Sequence, residues 1–183
     1  MSFLLEYLKH PKKIGAVAPS SKWLAKKMVE SIRFDDCNCI IEYGPGTGVF
    51  TKEIIKRKKK DTLYLIIEQN KDFYLILKEK YEDLPNVVLI HGDAKDVEMY
   101  ISQYRIQHVD YIISGLPFTS LPHHVAEMIL DATNRVIKNE GKFITFQYTL
   151  LKRNFFRQQF EIKKITFEFK NLPPAYVFVM QNK

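Results

Sequence analysis

The sequence predicts an α/β fold on a largely parallel sheet, closed at one edge by an antiparallel pair of strands. Three observations predict it. After Cys39, short runs rich in β-branched and aromatic residues alternate with helix-like stretches, the pattern of right-handed βαβ units. Three of the chain's 7 glycines crowd into residues 40–51, I-I-E-Y-G-P-G-T-G-V-F-T, where the first strand should turn into a helix. Two strand-like runs close the chain, separated only by Asn171-Leu-Pro-Pro174.

Taken in order, Met1, Leu4, Leu5 and Leu8 recur at the spacing of one helical face, which predicts a short helix over Met1–Lys9 ending before Pro11. Ser20 or Ser21 then caps a second helix carrying Trp23, Leu24, Met28 and Val29. Strands are expected at 39–43, 62–67, 87–91, 109–114 and 142–148. Helices are expected between them, at about 48–58, 70–83, 95–103 and 121–138. Ile162–Lys170 and Ala175–Gln181 form the closing pair. The 183 residues suit one domain, with 1–36 as a helical extension and 37–183 as the core.

Composition narrows the class. Hydrophobic content of 46% and aromatic content of 13% are those of a folded domain. No apolar run is long enough to span a bilayer, and Glu6 and Lys9 interrupt any signal-peptide core, so an intracellular protein is expected. Cys37 and Cys39 are read as buried thiols at a strand start, since one C-x-C pair is at best half a zinc site. The net charge of +7 favours an acidic partner, either nucleic acid or an anionic membrane surface.

The glycine segment carries the chemistry. In an open α/β sheet, ligands bind beyond the carboxyl ends of the strands. Gly44, Gly46 and Gly48 let the backbone turn sharply and approach a ligand closely, and the following helix presents free N–H groups there. The segment is neither a Walker loop nor a clean G-x-G-x-x-G, and Glu42 beside it disfavours a triphosphate while suiting a cationic or zwitterionic ligand. Glu68 ends the second strand 22 residues past Gly46, placed to accept from ribose hydroxyls. Asp93, in L-I-H-G-D-A, ends the third and is able to accept from an adenine amino group. One strand-end acid is commonly just solvated; three in succession beside a glycine turn are not ordinary.

E-x-G-x-G-x-G, a strand-terminal Glu and G-D-A together resemble the class I S-adenosylmethionine-dependent methyltransferases over residues 38–148. The resemblance implies a Rossmann-like seven-stranded mixed sheet of order 3-2-1-4-5-7-6 with helices on both faces. It implies S-adenosyl-L-methionine as donor, with S-adenosyl-L-homocysteine as product and no metal. Gly44, Gly46 and Gly48, with Thr47, would approach the methionine moiety, whose ammonium Glu42 would meet directly or through water. Glu68 would bind the ribose, with Gln69 beside it. Asp93 would contact adenine, with Ala94 beside it.

On the acceptor side, "Y-I-I-S-G-L-P-F" resembles the Asn-Leu-Pro-Tyr stretch of ribosomal RNA adenine dimethyltransferases, where the Asn accepts from the target amine and the aromatic ring stacks on the base. The alignment puts Gly115 at the Asn position, which removes a hydrogen bond of about 1–3 kcal/mol, and leaves Phe118 to stack. Those enzymes carry a further helical domain, for which this chain is expected to have no room. The match to small bacterial phospholipid N-methyltransferases is closer. They share the extension matching Phe3–Ser21, a Ser-Gly-Leu-Pro stretch matching Ser114–Pro117, and an N-L-P-P-A segment matching Asn171–Ala175. The ending of the fifth strand, "F-Q-Y-T-L-L-K-R", departs from that family's pattern and is left unmatched to its loop after strand five.

The expected activity is therefore N-methylation of a phospholipid amine headgroup such as that of phosphatidylethanolamine. Ser114, Gly115, Leu116, Pro117 and Phe118 would form the acceptor site, with Ser114 also contacting the donor, and Tyr7 would offer a ring face to the methylated cation. The alternative is an RNA adenine N6-methyltransferase, and a noncatalytic donor-binding module is the third reading. His123 and His124 are candidate bases, although exposed histidines at a helix start are the plainer reading. The apolar face of residues 1–9, followed by Lys9, Lys12 and Lys13, is a candidate interfacial anchor, which would place a cytoplasmic enzyme at the inner membrane face. The run Lys56–Lys60 is read first as a solvated helix end, where cations suit the helix dipole.

Overall fold

The computed structural model describes residues 20–183. Within them, a seven-stranded sheet has the order β3-β2-β1-β4-β5-β7-β6. The strands are β1 (Cys39–Tyr43), β2 (Leu63–Glu68), β3 (Val87–His91), β4 (Val109–Ser114), β5 (Ile137–Gln147), β6 (Phe160–Glu168) and β7 (Ala175–Asn182). The first five are parallel, while β7 lies antiparallel to both β5 and β6. The expected order therefore holds, and with it the parallel sheet with its antiparallel edge.

Alternation along the buried strands sends residues to two cores. In β1, Cys39, Ile41 and Tyr43 join one cluster and Ile40 the other. Helices α1 (Lys22–Val29), α2 (Val49–Ile55) and α3 (Lys71–Tyr81) cover one face with Leu24, Met28, Phe50, Ile54 and Leu77. Helices α4 (Val97–Gln103), α5 (His123–Val136) and α6 (Arg153–Gln159) cover the other with Val97, Tyr100, Ala126, Ile129, Phe155 and Phe156. Burial at about 25 cal/mol per Å2 of apolar area makes these two layers the main source of stability.

Local signals explain the helix starts. Ser21 caps α1, its Oγ accepting from Leu24 N–H at 3.1 Å. Asn70 caps α3 by accepting from the N–H groups of Asp72 and Phe73. Asn171 ties the edge to α1: its Oδ1 accepts from Ser21 N–H at 2.8 Å, and its Nδ2 donates to Pro173 O. Cys37 and Cys39 are free, buried thiols, both pushed up to about 12 chiefly by that burial.

Three differences from the sequence reading are physical. β5 begins at Ile137 rather than 142, with a register shift opposite Val109/Tyr111, so α5 stops at Val136. Helix α6, which the sequence reading lacks, has seven residues and buries the adjacent pair Phe155-Phe156 rather than a periodic stripe. Trp23 stands half-exposed while Leu24, Ala25, Met28 and Val29 are buried, so the apolar face of α1 excludes the indole. The expected helix over Met1–Lys9, with Tyr7, Lys9, Lys12 and Lys13, lies outside the described residues.

Candidate functional site

Seen end-on, the carboxyl ends of β3, β2, β1, β4 and β5 bound a cavity of about 350 Å3. At about 4.8 Å per strand step, the five ends span about 19 Å. Gly44 and Gly46 line its middle; Glu68, Gln69, Asp93 and Ala94 line one end, and Gly115, Leu116 and Pro117 the other.

Positive backbone angles shape the glycine loop, with φ of 59° at Gly44, 56° at Gly46 and 80° at Gly48. Those angles favour glycine, but the three play different parts. A Cβ at Gly46 would meet nothing within 4 Å, so the backbone there is bare toward open space. A Cβ at Gly44 would come within 2.7 Å of Leu116, which fixes the approach of the two loops. Gly48 precedes α2 and packs against Leu77, away from the cavity wall.

Glu68 holds this loop. Its Oε2 accepts from Gly46 N–H at 3.0 Å and its Oε1 from Asn70 N–H at 2.8 Å. Burial raises its pKa, and the backbone N–H groups of Asn70, Gly46 and Gln69 oppose that rise. A carboxylate has lone pairs beyond these two bonds, so Glu68 retains capacity to accept from a ligand. Gln69 Nε2 donates to Asp93 Oδ2 at 3.1 Å, and Asp93 Oδ1 accepts from Lys95 N–H at 3.1 Å. The acids at the ends of β2 and β3 are thus held in one network at one end of the cavity.

Several expected site residues stand elsewhere. Glu42 is fully buried behind the glycine loop and does not line the cavity. Its Oε2 accepts from Thr51 Oγ1–H at 2.7 Å and from the Tyr64 hydroxyl, while Oε1 has no partner among the described residues. Direct contact with a ligand ammonium is corrected by this placement: alternation turns Glu42 toward α2. Burial lifts its pKa from 4.5 to about 7, against the hydrogen bonds from Tyr64 and Thr51. Thr47 and Ser114 also lie off the wall; Ser114 is buried and its Oγ accepts from Leu116 N–H at 3.2 Å.

Phe118 is a second correction. It is completely buried, edge-on to Phe143 and Phe156 with ring centroids 6.1 and 5.5 Å away, so it has no face to stack on an acceptor. The candidate bases are a third. Neither His123 nor His124 lines the cavity; His123 Nδ1 lies 3.1 Å from Glu127 Oε2 and its ring rests against Phe155. The start of α5 instead presents Pro122, Val125 and Ile129 to the wall.

Sequence reasoning missed the far wall, formed by Phe146, Gln147 and Tyr148 with Thr119, Ser120 and Leu121. Gln147 is buried and donates from Nε2 to Leu116 O at 3.4 Å. The unmatched "F-Q-Y" was the available signal, because it ends a strand beside β4. Gly115 now has a steric account: its N–H donates to Tyr43 O at 2.9 Å, and a Cβ would lie 2.5 Å from Gly44 O. The basic run is also partly used internally, since Lys58 Nζ donates to the carbonyls of Thr62 and Pro85, and Lys56 and Arg57 pair with Glu53.

The bare backbone at Gly46, the accepting carboxylates at one end and the apolar opposite wall fit a zwitterionic nucleoside. A family model described as ribosomal RNA adenine dimethylase matches residues 20–166. The chain belongs to that family. It is an S-adenosylmethionine-dependent methyltransferase. It is 33% identical over 175 residues to an ornithine lipid N-methyltransferase of Singulisphaera acidiphila, covering 94% of this chain and 91% of that one. It is 35% identical over 120 residues to ribosomal RNA small subunit methyltransferase A of Persephonella marina, covering 65% of this chain but 41% of that protein. The methyltransferase fold also matches the N-methyltransferase NodS of Bradyrhizobium japonicum in complex with S-adenosyl-L-homocysteine, with a TM-score of 0.69 at 9% identity over 87% of this chain and 83% of that one.

No group of three or more His, Cys, Asp or Glu residues is placed to hold a metal among the described residues. No helix among them is long and apolar enough to cross a membrane.

Proposed function

We propose that this methyltransferase transfers methyl groups to the amine of a lipid headgroup, working at a membrane surface. One observation carries the choice of acceptor. The wall that would read an adenine lacks both of its instruments, because Gly115 has no side chain and no space for one against Gly44 O, and Phe118 is buried in the core. A planar base would lose its polar anchor and its stacking partner together. The similarity to a lipid N-methyltransferase over most of both chains supports the same reading. Phosphatidylethanolamine and ornithine lipid both offer an amine nitrogen, and the shared chemistry is the proposal.

For the donor, Glu68 would accept from the ribose and the Gln69–Asp93 pair would face the adenine, with Gly44 and Gly46 letting the backbone lie against the amino-acid portion. Glu42 would act from behind, holding α2 to β1 through Thr51 and so fixing the loop. Bound there, the donor supplies a sulfonium methyl for in-line attack by a neutral nitrogen. The protein's part is alignment, which can lower a barrier by about 7–11 kcal/mol. Leu116, Pro117 and Leu121 would exclude water around the reacting centre, and Gln147 and Tyr148 would offer polar contacts to the acceptor. An ammonium must shed its proton before attack.

Transfer of labelled methyl by one enzyme preparation into phosphatidylethanolamine, ornithine lipid and ribosomal RNA tests the acceptor. Label in either lipid and not in RNA is expected. Label in RNA alone would overturn the reading.

A further inference from the structure

An edge strand that exposes aromatic side chains is a liability unless something covers it. The first half of β6 is guarded by Lys163 and Lys164. Its second half is not: Phe167 is half-exposed, Phe169 is 68% exposed and Leu172, in the turn to β7, is 77% exposed. Around the corner on α1, half-exposed Trp23 has Lys170 Nζ 4.3 Å from its ring centroid and Lys26 Nζ at 5.5 Å. Asn171 joins these pieces through its bond from Ser21 N–H, so they form one corner rather than scattered residues.

The exposed charges of this corner are basic, Lys26 and Lys170; Glu168, the acid between Phe167 and Phe169, is buried, its Oε1 accepting from Lys170 N–H at 2.8 Å. Residues 141–160 and 169–183 contain no Asp or Glu, and neither do residues 20–29. Lysines interleaved with an indole and exposed phenyl rings are the chemistry of an anionic lipid interface, where rings sit at headgroup level and cations meet lipid phosphates.

The register puts this corner beside the cavity. Gln147 on the cavity wall pairs with Tyr176, which pairs with Phe167, two strand steps or about 10 Å away. Ring contact between Phe167 and Tyr176, with centroids 4.8 Å apart, continues the apolar surface. We propose that the corner formed by Trp23, Lys26, Phe167, Phe169, Lys170 and Leu172 seats the enzyme on an anionic bilayer, at the end of the sheet where the cavity lies. The proposal rests on the lipid-acceptor reading and specifies its surface. Docking there would present the cavity to headgroups without removing a lipid from its leaflet.

Trp23 is the chain's sole tryptophan, so its fluorescence reports on this corner alone. The protein is titrated with phosphatidylcholine vesicles, with and without phosphatidylglycerol, carrying brominated acyl chains. Quenching with a blue shift on the anionic vesicles, weakened by added salt, is expected. The combined variant Phe169→Ser, Lys170→Glu, Leu172→Ser should bind those vesicles at least about ten-fold more weakly, with donor affinity unchanged as evidence of folding. Vesicle binding that leaves Trp23 unquenched, or that survives in the variant, would overturn the surface. Methyl transfer to the same lipid dispersed in detergent reads the acceptor separately, because it does not need the surface.

Discussion

Glu42 carries a motif position without standing in the cavity. Its carboxyl group sits between β1 and α2 with Thr51 and Tyr64, and burial raises its pKa to about 7. A raised carboxyl pKa means that the folded state holds a proton the unfolded chain releases. Its contribution to stability is therefore complete below about pH 4.5 and lost as pH rises through 7, by about 3 kcal/mol. Denaturant melts of Glu42→Gln and the parent between pH 4.5 and 8 should show a flatter profile for the variant. Equal pH slopes would show that Glu42 is charged when folded.

Gly115 supplies a contrasting case at the same scale. Restoring the missing amide with Gly115→Asn would thrust a Cβ against Gly44 O, at a cost of about 1–3 kcal/mol. Lower stability, weaker donor binding and no gain in RNA methylation are expected. A stable variant that methylates RNA would contradict the steric account. The sequence made Gly115 legible as a departure but not its cause, because the cause is the approach of two loops. It misplaced Phe118 for a similar reason: adjacency to Leu116-Pro117 says nothing about the direction of a side chain after a turn.

At the scale of elements, one carboxylate ties three strands together at the end of the sheet away from the cavity. Asp110 Oδ2 accepts from the N–H groups of Asn38 and Cys39, both at 2.8 Å, and Oδ1 pairs with Lys138 on β5. Burial works to raise the Asp110 pKa, but Lys138 and the two N–H groups outweigh it and hold it below the ordinary value. Asp110→Asn should cost about 2–3 kcal/mol in a urea melt at neutral pH. The loss should vanish as pH falls through the depressed pKa, and donor affinity should not move. A change in donor affinity would mean that strand anchoring and cavity geometry are coupled.

Element boundaries show what periodicity carries. β1 and β4 fall where their apolar runs predict, because strands buried on both faces read as continuous hydrophobic stretches, and the half-buried edge strand β3 falls on its own V-V-L-I run. The early start of β5 was hidden by Lys138, Asn139 and Glu140, polar residues that lie within the register shift, between the Val109–Ile137 and Tyr111–Lys142 pairs. Gln147 and Tyr148 reach the cavity because β5 lies beside β4, so their one mark in the sequence was the unmatched F-Q-Y at the strand's end. The acids Glu68 and Asp93 were legible because each ends a strand, and strand ends in a parallel sheet converge.

Across the whole molecule, five strand ends, a glycine loop and two carboxylates converge on one cavity. The proposed membrane-facing corner lies at the same end of the sheet, on the β6 edge. Glu68 positions the glycine loop, and its proposed second part is to accept from the donor's sugar. Calorimetric titration with S-adenosyl-L-homocysteine tests it most directly, comparing the parent with Glu68→Ala. Heat of binding at a single site in the parent, and affinity lower by about ten- to a hundred-fold in the variant, are predicted. No heat in the parent, or equal affinity in the two proteins, would contradict the account.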